Sequence, residues 1–323
     1  LRNRLYWKVS TERGIMKYET ENVKYCNLCG SSEFTILWDK VKRKKDGLLR
    51  SIVITNDTGE IIQGTNVICK HCGLVFISPR LTKEDLDKFY TEDYRKIYKG
   101  ALNAEVEKHH AETAMKVLKE SCEVDVGNRL LDIGCSTGEL VDRIRHTRID
   151  SYGIEPNKEH YEIAKSKGLE VECTTIESYD PGMKFDIITM LNALEHVYSP
   201  TETLEKIHSL LNEDGYLLIC VPNLYNRTIH IPVDAFLSNA HLYNFSIDTL
   251  TAYFLKTGFK IVNQYQVTEE MGDKIYLLGQ KTDKKWEFIP KIETEVVKNT
   301  VDHLKLADSI WHMKYNITQM GFR

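Results

Sequence analysis

The stretch from Leu130 to Leu140, LLDIGCSTGEL, limits what this chain can fold into more than any other. Apolar residues run into Asp132, two glycines four apart (Gly134 and Gly138) make a turn, and Glu139, Leu140, Val141 and Ile144 begin a helical pattern. That is a strand, a tight glycine turn and a helix, the repeating unit of a parallel sheet. Glycine there allows positive φ and lets a nucleotide-like ligand approach the backbone. The turn has neither the lysine-containing ending of a phosphate loop nor the G-x-G-x-x-G of a dinucleotide fingerprint. A second short strand covers Tyr152 to Glu155, and Glu155, 21 residues after Gly134, stands where an acidic side chain can accept hydrogen bonds from ribose hydroxyls.

Beyond Glu155 helices and strands alternate as a doubly wound sheet requires. Helical residues 158–167 lead to the strand LEVEC, and Phe185 to Leu191 is an apolar run suited to a central strand buried on both faces. Ser199-Pro200-Thr201-Glu202 caps a helix that ends before Asp214-Gly215 and the strand YLLICV. Ser246 caps another, with Gly258 as its stop, and FKIVNQYQV and KIYLLGQ are the last two strands.

The ordered series LLDIGCSTGEL, GIEPN, FDIITMLNALEHVYSP and LNEDGYLLICVPN resembles the class I S-adenosylmethionine-dependent methyltransferases over roughly residues 128–280. The resemblance implies an α/β fold with a Rossmann-like seven-stranded sheet, closed by an antiparallel hairpin, and S-adenosylmethionine at the carboxyl ends of its strands. On that reading Asp132, Gly134, Cys135, Gly138, Glu155, Pro156, Thr175, Ile176 and Asn192 surround the cofactor. Asp132 would face the methionine amino group and Glu155 the ribose, while the loop of Thr174 to Glu177 would lie on the adenine. Cys135 has no neighbouring base or cation and reads as a small turn residue.

Of eight cysteines, four are dispersed and four form two glycine-ended C-x-x-C pairs, Cys26/Cys29 and Cys69/Cys72. Two such pairs supply four soft thiolate ligands, a closed tetrahedron for a structural Zn2+. His71 inside the second pair is a competing ligand. The 39 residues between the pairs contain strand-like SIVIT and NVIC, and a long insertion is tolerated because loop closure costs grow slowly with length. The organisation expected is a non-native or disordered leader at 1–15, ahead of Met16, and a zinc-binding β module at 16–80. A helical lid or linker at 81–127, the methyltransferase domain at 128–282 and a helical extension at 283–323 follow. In the extension Val297, Val301, Leu304 and Trp311 share a face that could lie on the body or on a second subunit.

Methyl transfer needs an aligned acceptor and, for a hydroxyl, a place for its proton. His196 in NALEHV and His241 in HLYNFS, with Tyr243 beside it, are the catalytic candidates, and His230 is a weaker one. By the same resemblance Tyr94, Arg95 and Tyr98 are acceptor-side residues. A zinc module ahead of a methyltransferase domain resembles the enzymes that methylate nucleotide-linked sugars, although the large C-terminal domain of their carbon-methylating members is missing. The acceptor expected is a small polar molecule, a sugar or nucleotide-linked sugar methylated on oxygen or carbon, in glycan or natural-product biosynthesis. The alternatives are an RNA methyltransferase gripping nucleic acid with its zinc module and the basic run Lys40 to Lys45, and a non-catalytic scaffold that keeps the pocket. A formal charge of −4 argues against nucleic acid, since phosphate binding needs a broad basic surface. No apolar run is long enough for a membrane span and no signal-peptide core is present, so a cytoplasmic location is expected.

Overall fold

The computed structural model describes residues 5–11, 14–38, 53–56, 61–62, 65–93, 104–123, 126–225, 233–237, 240–267, 273–287, 289, 291 and 294–319. Lys40 to Lys45, Tyr94, Arg95, Tyr98 and His230, and the side chain of Trp311, lie outside the described residues. The chain begins with strands β1 (Leu5–Thr11), β2 (Gly14–Glu21), β3 (Phe34–Trp38), β4 (Val53–Asn56), β5 (Ile61–Ile62), β6 (Thr65–Cys69), β7 (Val75–Ser78) and β8 (Arg80–Leu81). Helices α1 (Lys83–Lys88) and α2 (Ala104–Ser121) follow. Then come β9 (Arg129–Ile133), α3 (Glu139–Arg145), β10 (Asp150–Ile154), α4 (Lys158–Ser166), β11 (Val171–Glu172), β12 (Phe185–Leu191), α5 (Pro200–Leu210) and β13 (Leu211–Pro222). The remainder is α6 (Val233–Phe236), β14 (Tyr243–Asn244), α7 (Ile247–Thr257), β15 (Phe259–Val267), β16 (Lys274–Lys281) and α8 (Thr294–Gln319).

The central sheet has seven strands in the order β11-β10-β9-β12-β13-β16-β15. Strands β9 to β13 pair in parallel, and β16 inserts antiparallel between β13 and β15. This is the Rossmann-like sheet of the class I methyltransferases, closed by the antiparallel pair expected from the sequence. The strand order reverses between β9 and β12, so their carboxyl ends open a crevice there. Leu131, Ile133, Ile188, Leu217 and Leu277 pack on one face with α5 and α7 residues Leu204, Ile207, Leu250 and Phe254. On the other face Leu130, Ile187, Leu218 and Leu278 meet Ala111, Ala114, Val117 and Leu118 of α2. The cap of α5 forms as its sequence dictates, Ser199 accepting from the Glu202 amide with proline in the first turn.

The amino-terminal part forms two sheets. Strands β3, β6 and β7 form the cysteine module, and β14, from the far side of the main domain, completes it in the order β14-β7-β6-β3. The second sheet has the order β5-β4-β1-β2-β8. SIVIT and NVIC therefore contribute strands to different sheets, because β4 pairs with β1 rather than with β6. Leu5–Thr11, expected in a disordered leader, is a strand paired with Gly14–Glu21. On α8, Val297, Val301 and Leu304 lie against Leu37, Ile68, Val75, Leu224, Val233 and Leu237, so this face packs on the body. No helix among the described residues is long and apolar enough to cross a membrane.

Candidate functional site

At the carboxyl ends of β9, β10 and β12 lies a cavity of about 540 Å3. Asp132, Gly134, Cys135, Glu155, Pro156, Thr175, Ile176 and Asn192 line it, as do His196 and His241. Two of the expected site residues do not. Gly138 sits behind the turn as the left-handed cap of α3, with φ +81°, and a Cβ there would come within 2.3 Å of Leu169 Cδ1 and 3.2 Å of Ala164 Cβ. Its missing side chain makes room for the chain around α4, not for a ligand. Tyr243 is buried in the cysteine module's sheet, where its hydroxyl accepts from Arg80 at 2.8 Å and donates to the Tyr198 carbonyl at 3.0 Å. Burial pushes its phenol up to about 12, so it is no proton acceptor.

The glycine turn is built for close approach. Gly134, φ +70°, stands where an added Cβ would be 3.1 Å from Ala193 across the β9–β12 crevice. Ser136 takes φ +51° beside it, and its amide donates to Glu155 Oε2 at 3.0 Å. The Asn157 amide donates to Glu155 Oε1 at 2.8 Å, so the carboxylate is fixed through both oxygens. Asp132, at the end of β9, accepts from the Thr189 hydroxyl at 2.7 Å. Burial pushes Asp132 up to about 7 against that hydrogen bond, with further upward pressure from the charges of Glu155 and Glu107. The Cys135 thiol is pushed well up, first by burial and then by Asp132 and Glu155, which leaves it protonated and inert.

Several lining residues carry no sequence signal of their own. Glu107 of α2 accepts from the Ser136 and Thr137 hydroxyls at 2.7 and 2.9 Å, and so clamps the pre-sheet helix to the turn. The Asn192 side chain donates to His110 Nδ1 at 3.1 Å and accepts from Lys274 Nζ at 2.7 Å. At the opposite end Tyr90 donates to the Ala240 carbonyl at 2.6 Å and stands 2.9 Å from His196 Nδ1. Such residues act through long-range approach of the turn that follows α1, of α2 and of β16 to the strand ends. Only helical phase, which puts Glu107, His110 and Ala111 near one face of α2, hints at them in the sequence.

In the cysteine module Cys26 Sγ is 3.5 Å from Cys72 Sγ and Cys29 Sγ is 3.6 Å from Cys69 Sγ. All four sulfurs lie within 4.8 Å of one another. A disulfide needs about 2.05 Å, whereas thiolates about 2.3 Å from one tetrahedral ion stand nearly 4 Å apart. The donor set therefore fits Zn2+. Hydrogen bonds from Cys26, Cys29 and Cys72 pull the Cys69 thiol far below its ordinary value. His71 is outside this cluster, its Nε2 3.0 Å from the Ile289 carbonyl.

Residues 106–264 match a family model described as a methyltransferase domain. A ubiquinone biosynthesis O-methyltransferase of Bradyrhizobium diazoefficiens is 28% identical over 103 residues, 30% of this chain and 41% of that protein. One from Actinobacillus pleuropneumoniae serotype 5b is 31% identical over 115 residues, 32% of this chain and 48% of that protein. The chain spans less than half the length of these curated relatives. The solved magnesium protoporphyrin IX methyltransferase of Synechocystis PCC 6803 is similar at TM-score 0.49 and 14% identity, over 62% of this chain and all of that one. The order and direction of the seven strands are those of the Rossmann-like class I methyltransferase fold, and residues 106–264, just under half of the chain, are similar to a methyltransferase domain.

Proposed function

We propose that the chain is an S-adenosylmethionine-dependent methyltransferase acting on a hydroxyl of a small polar acceptor of the sugar or nucleotide-linked sugar class. One observation carries the reading: Asp132 lies buried in the cavity at the glycine turn, pushed up to about 7 by burial first and by the charges of Glu155 and Glu107 after it, and a ligand bearing a cationic amine is the partner that stabilises its ionised form there. Asp132 would take the amino group, the doubly pinned Glu155 the ribose hydroxyls, and Thr175 and Ile176 the adenine side. Bound S-adenosylmethionine supplies a methyl group on a positively charged sulfur, a leaving group that needs no further activation.

The remaining tasks belong to the protein: to orient the acceptor and to give the hydroxyl proton a way out. Glu195, His196 and His241 stand together at one end of the cavity and mark where that proton is lost. The sugar class follows from the cysteine module, proposed to hold a structural Zn2+, standing ahead of such a domain. The curated relatives are O-methyltransferases by name, in keeping with oxygen as the atom methylated.

The test is to incubate the zinc-loaded protein with methyl-labelled S-adenosylmethionine and a cell extract divided into small metabolites, RNA and protein. Label in the small-metabolite fraction, lost in Asp132→Ala, is the expected result. Label confined to RNA would overturn the acceptor class. Failure of the wild type to bind S-adenosylhomocysteine in calorimetry would overturn the reading as a whole.

A further inference from the structure

Three side chains at the acceptor end of the cavity have a geometry that proton transfer alone does not explain. Glu195, His196 and His241 each bring a ligand atom to within 4.8 Å of the others. Glu195 follows β12 on a short 3-10 turn and is 2% exposed, yet its Oε2 has no hydrogen-bond partner among the described residues. Leaving a buried carboxylate oxygen unsatisfied is costly, and a cation is one of the few partners that repays it. Its other oxygen is 3.9 Å from His196 Nε2.

His196 is oriented as a ligand. His196 Nδ1 is 2.9 Å from the Ala240 carbonyl, which can only accept, so the proton sits on Nδ1. In the neutral ring the lone pair is then on Nε2, the nitrogen nearer Glu195. This is the arrangement in which a backbone carbonyl fixes the tautomer of a metal-binding imidazole. His241 presents its ring 5.1 Å from that of His196 in an edge-to-face pose. Its backbone is anchored next door, where Ile77 N donates to the Leu242 carbonyl at 3.0 Å and β14 pairs with β7. The centre of a triangle with sides of 4.8 Å lies about 2.8 Å from each corner, so shifts of under about 1 Å reach ordinary metal–ligand lengths.

We infer that Glu195, His196 and His241 form a divalent-metal site that grips the acceptor through oxygen. Two imidazoles and one carboxylate suit a first-row ion and leave positions open to the cavity. The natural occupant of those positions is an acceptor with two neighbouring oxygens, such as a vicinal diol. This deepens the proposed function, resting on it for the statement that this end of the cavity takes the acceptor. The ion lowers the pKa of the bound hydroxyl, whose proton passes to solvent. The oxygen lone pair then forms the O–CH3 bond while the S–CH3 bond breaks, and its electron pair returns to sulfur, leaving neutral S-adenosylhomocysteine.

Mn2+ is the probe, because a hard ion does not displace zinc from four thiolates. Titrated into the zinc-loaded protein and followed by the loss of the free-ion electron paramagnetic resonance signal, it should bind at one equivalent per chain. Glu195→Gln and His241→Ala should each weaken that binding by at least about tenfold while S-adenosylhomocysteine affinity, the measure of an intact fold, is retained. Asp132→Asn should do the reverse. Absence of saturable Mn2+ binding, or binding that survives both variants, would overturn the metal site. Mn2+ binding without any affinity for S-adenosylhomocysteine would instead retain the metal site and remove the methyltransferase reading.

Discussion

Asp132 shows how far a single residue can be interpreted. It ends β9, is buried, and is held near 7 by burial and by the charges of Glu155 and Glu107. An unfolded aspartate titrates near about 4, so the folded chain binds this proton more tightly than the unfolded one. The ligand-free protein therefore has the full contribution of this group at acid pH and loses it as pH rises through about 7. An amine-bearing ligand prefers the ionised form, so S-adenosylhomocysteine should bind more tightly across the same range. Calorimetry from pH 5.5 to 8 should show that trend, and Asp132→Asn should flatten it. The motif made Asp132 and Glu155 legible, because both lie within one strand–turn–strand unit. Gly138 was legible as a glycine but not in its role: its conformation follows from the turn, whereas its close approach to Leu169 exists only once α4 has packed. Gly138→Ala should cost about 1–3 kcal/mol in urea unfolding, because alanine must enter the left-handed region and displace Leu169. Ligand affinity of the folded fraction should persist, since Gly138 does not line the cavity.

At the level of elements, local chemistry settles most boundaries. Ser246 accepts from the Thr249 amide at 3.2 Å while Thr249 Oγ1 accepts from the Ser246 amide at 3.0 Å, a reciprocal cap that starts α7. Gly258 ends the same helix at φ +90°, where a Cβ would be 2.8 Å from His208 Nε2 and 2.9 Å from the Thr282 carbonyl. Ser246→Ala should therefore lower stability by about 1 kcal/mol, read as a shift in the urea midpoint at constant slope. Hydrophobic period and caps made α5, α7, β12 and the closing hairpin readable from the sequence. Strand pairing among the short amino-terminal strands was not, because a four-residue run such as Val53–Asn56 carries no information about its partner. The second sheet and the loan of β14 to the cysteine module are long-range pairings of that kind.

Across the whole molecule, the cysteine module and the Rossmann-like domain are joined at the first C-x-x-C turn. Asn27, between Cys26 and Cys29, donates to Ser199 Oγ at 2.9 Å and accepts from the Thr201 amide and the Tyr253 hydroxyl, each at 3.0 Å. Lys256 Nζ donates to the Asn27 and Leu28 carbonyls at 3.1 and 2.8 Å. These contacts reach the starts of α5 and the body of α7, while β14 carries His241 into place against β7. The first C-x-x-C turn thus anchors the segment that follows the cavity-lining residues His196 to Tyr198, while the glycine turn with Glu107 and Glu155 forms the other end of the cavity. Stripping the proposed Zn2+ with a chelator, or Cys69→Ser, should lower the melting temperature of the whole chain in one transition rather than melt the module alone. Asn27→Ala should separate the two effects. It keeps all four thiolates proposed to hold the Zn2+, yet leaves the Thr201 amide and the Tyr253 hydroxyl without their acceptor, for a cost of about 1–3 kcal/mol. Its acceptor KM should rise while S-adenosylhomocysteine affinity stays, because Asn27 holds the start of α5 directly after the His196 to Tyr198 lining and, among the described residues, makes no hydrogen bond with the glycine turn. Equal loss at both ends would show that the module supports the domain as a whole and does not position the acceptor side.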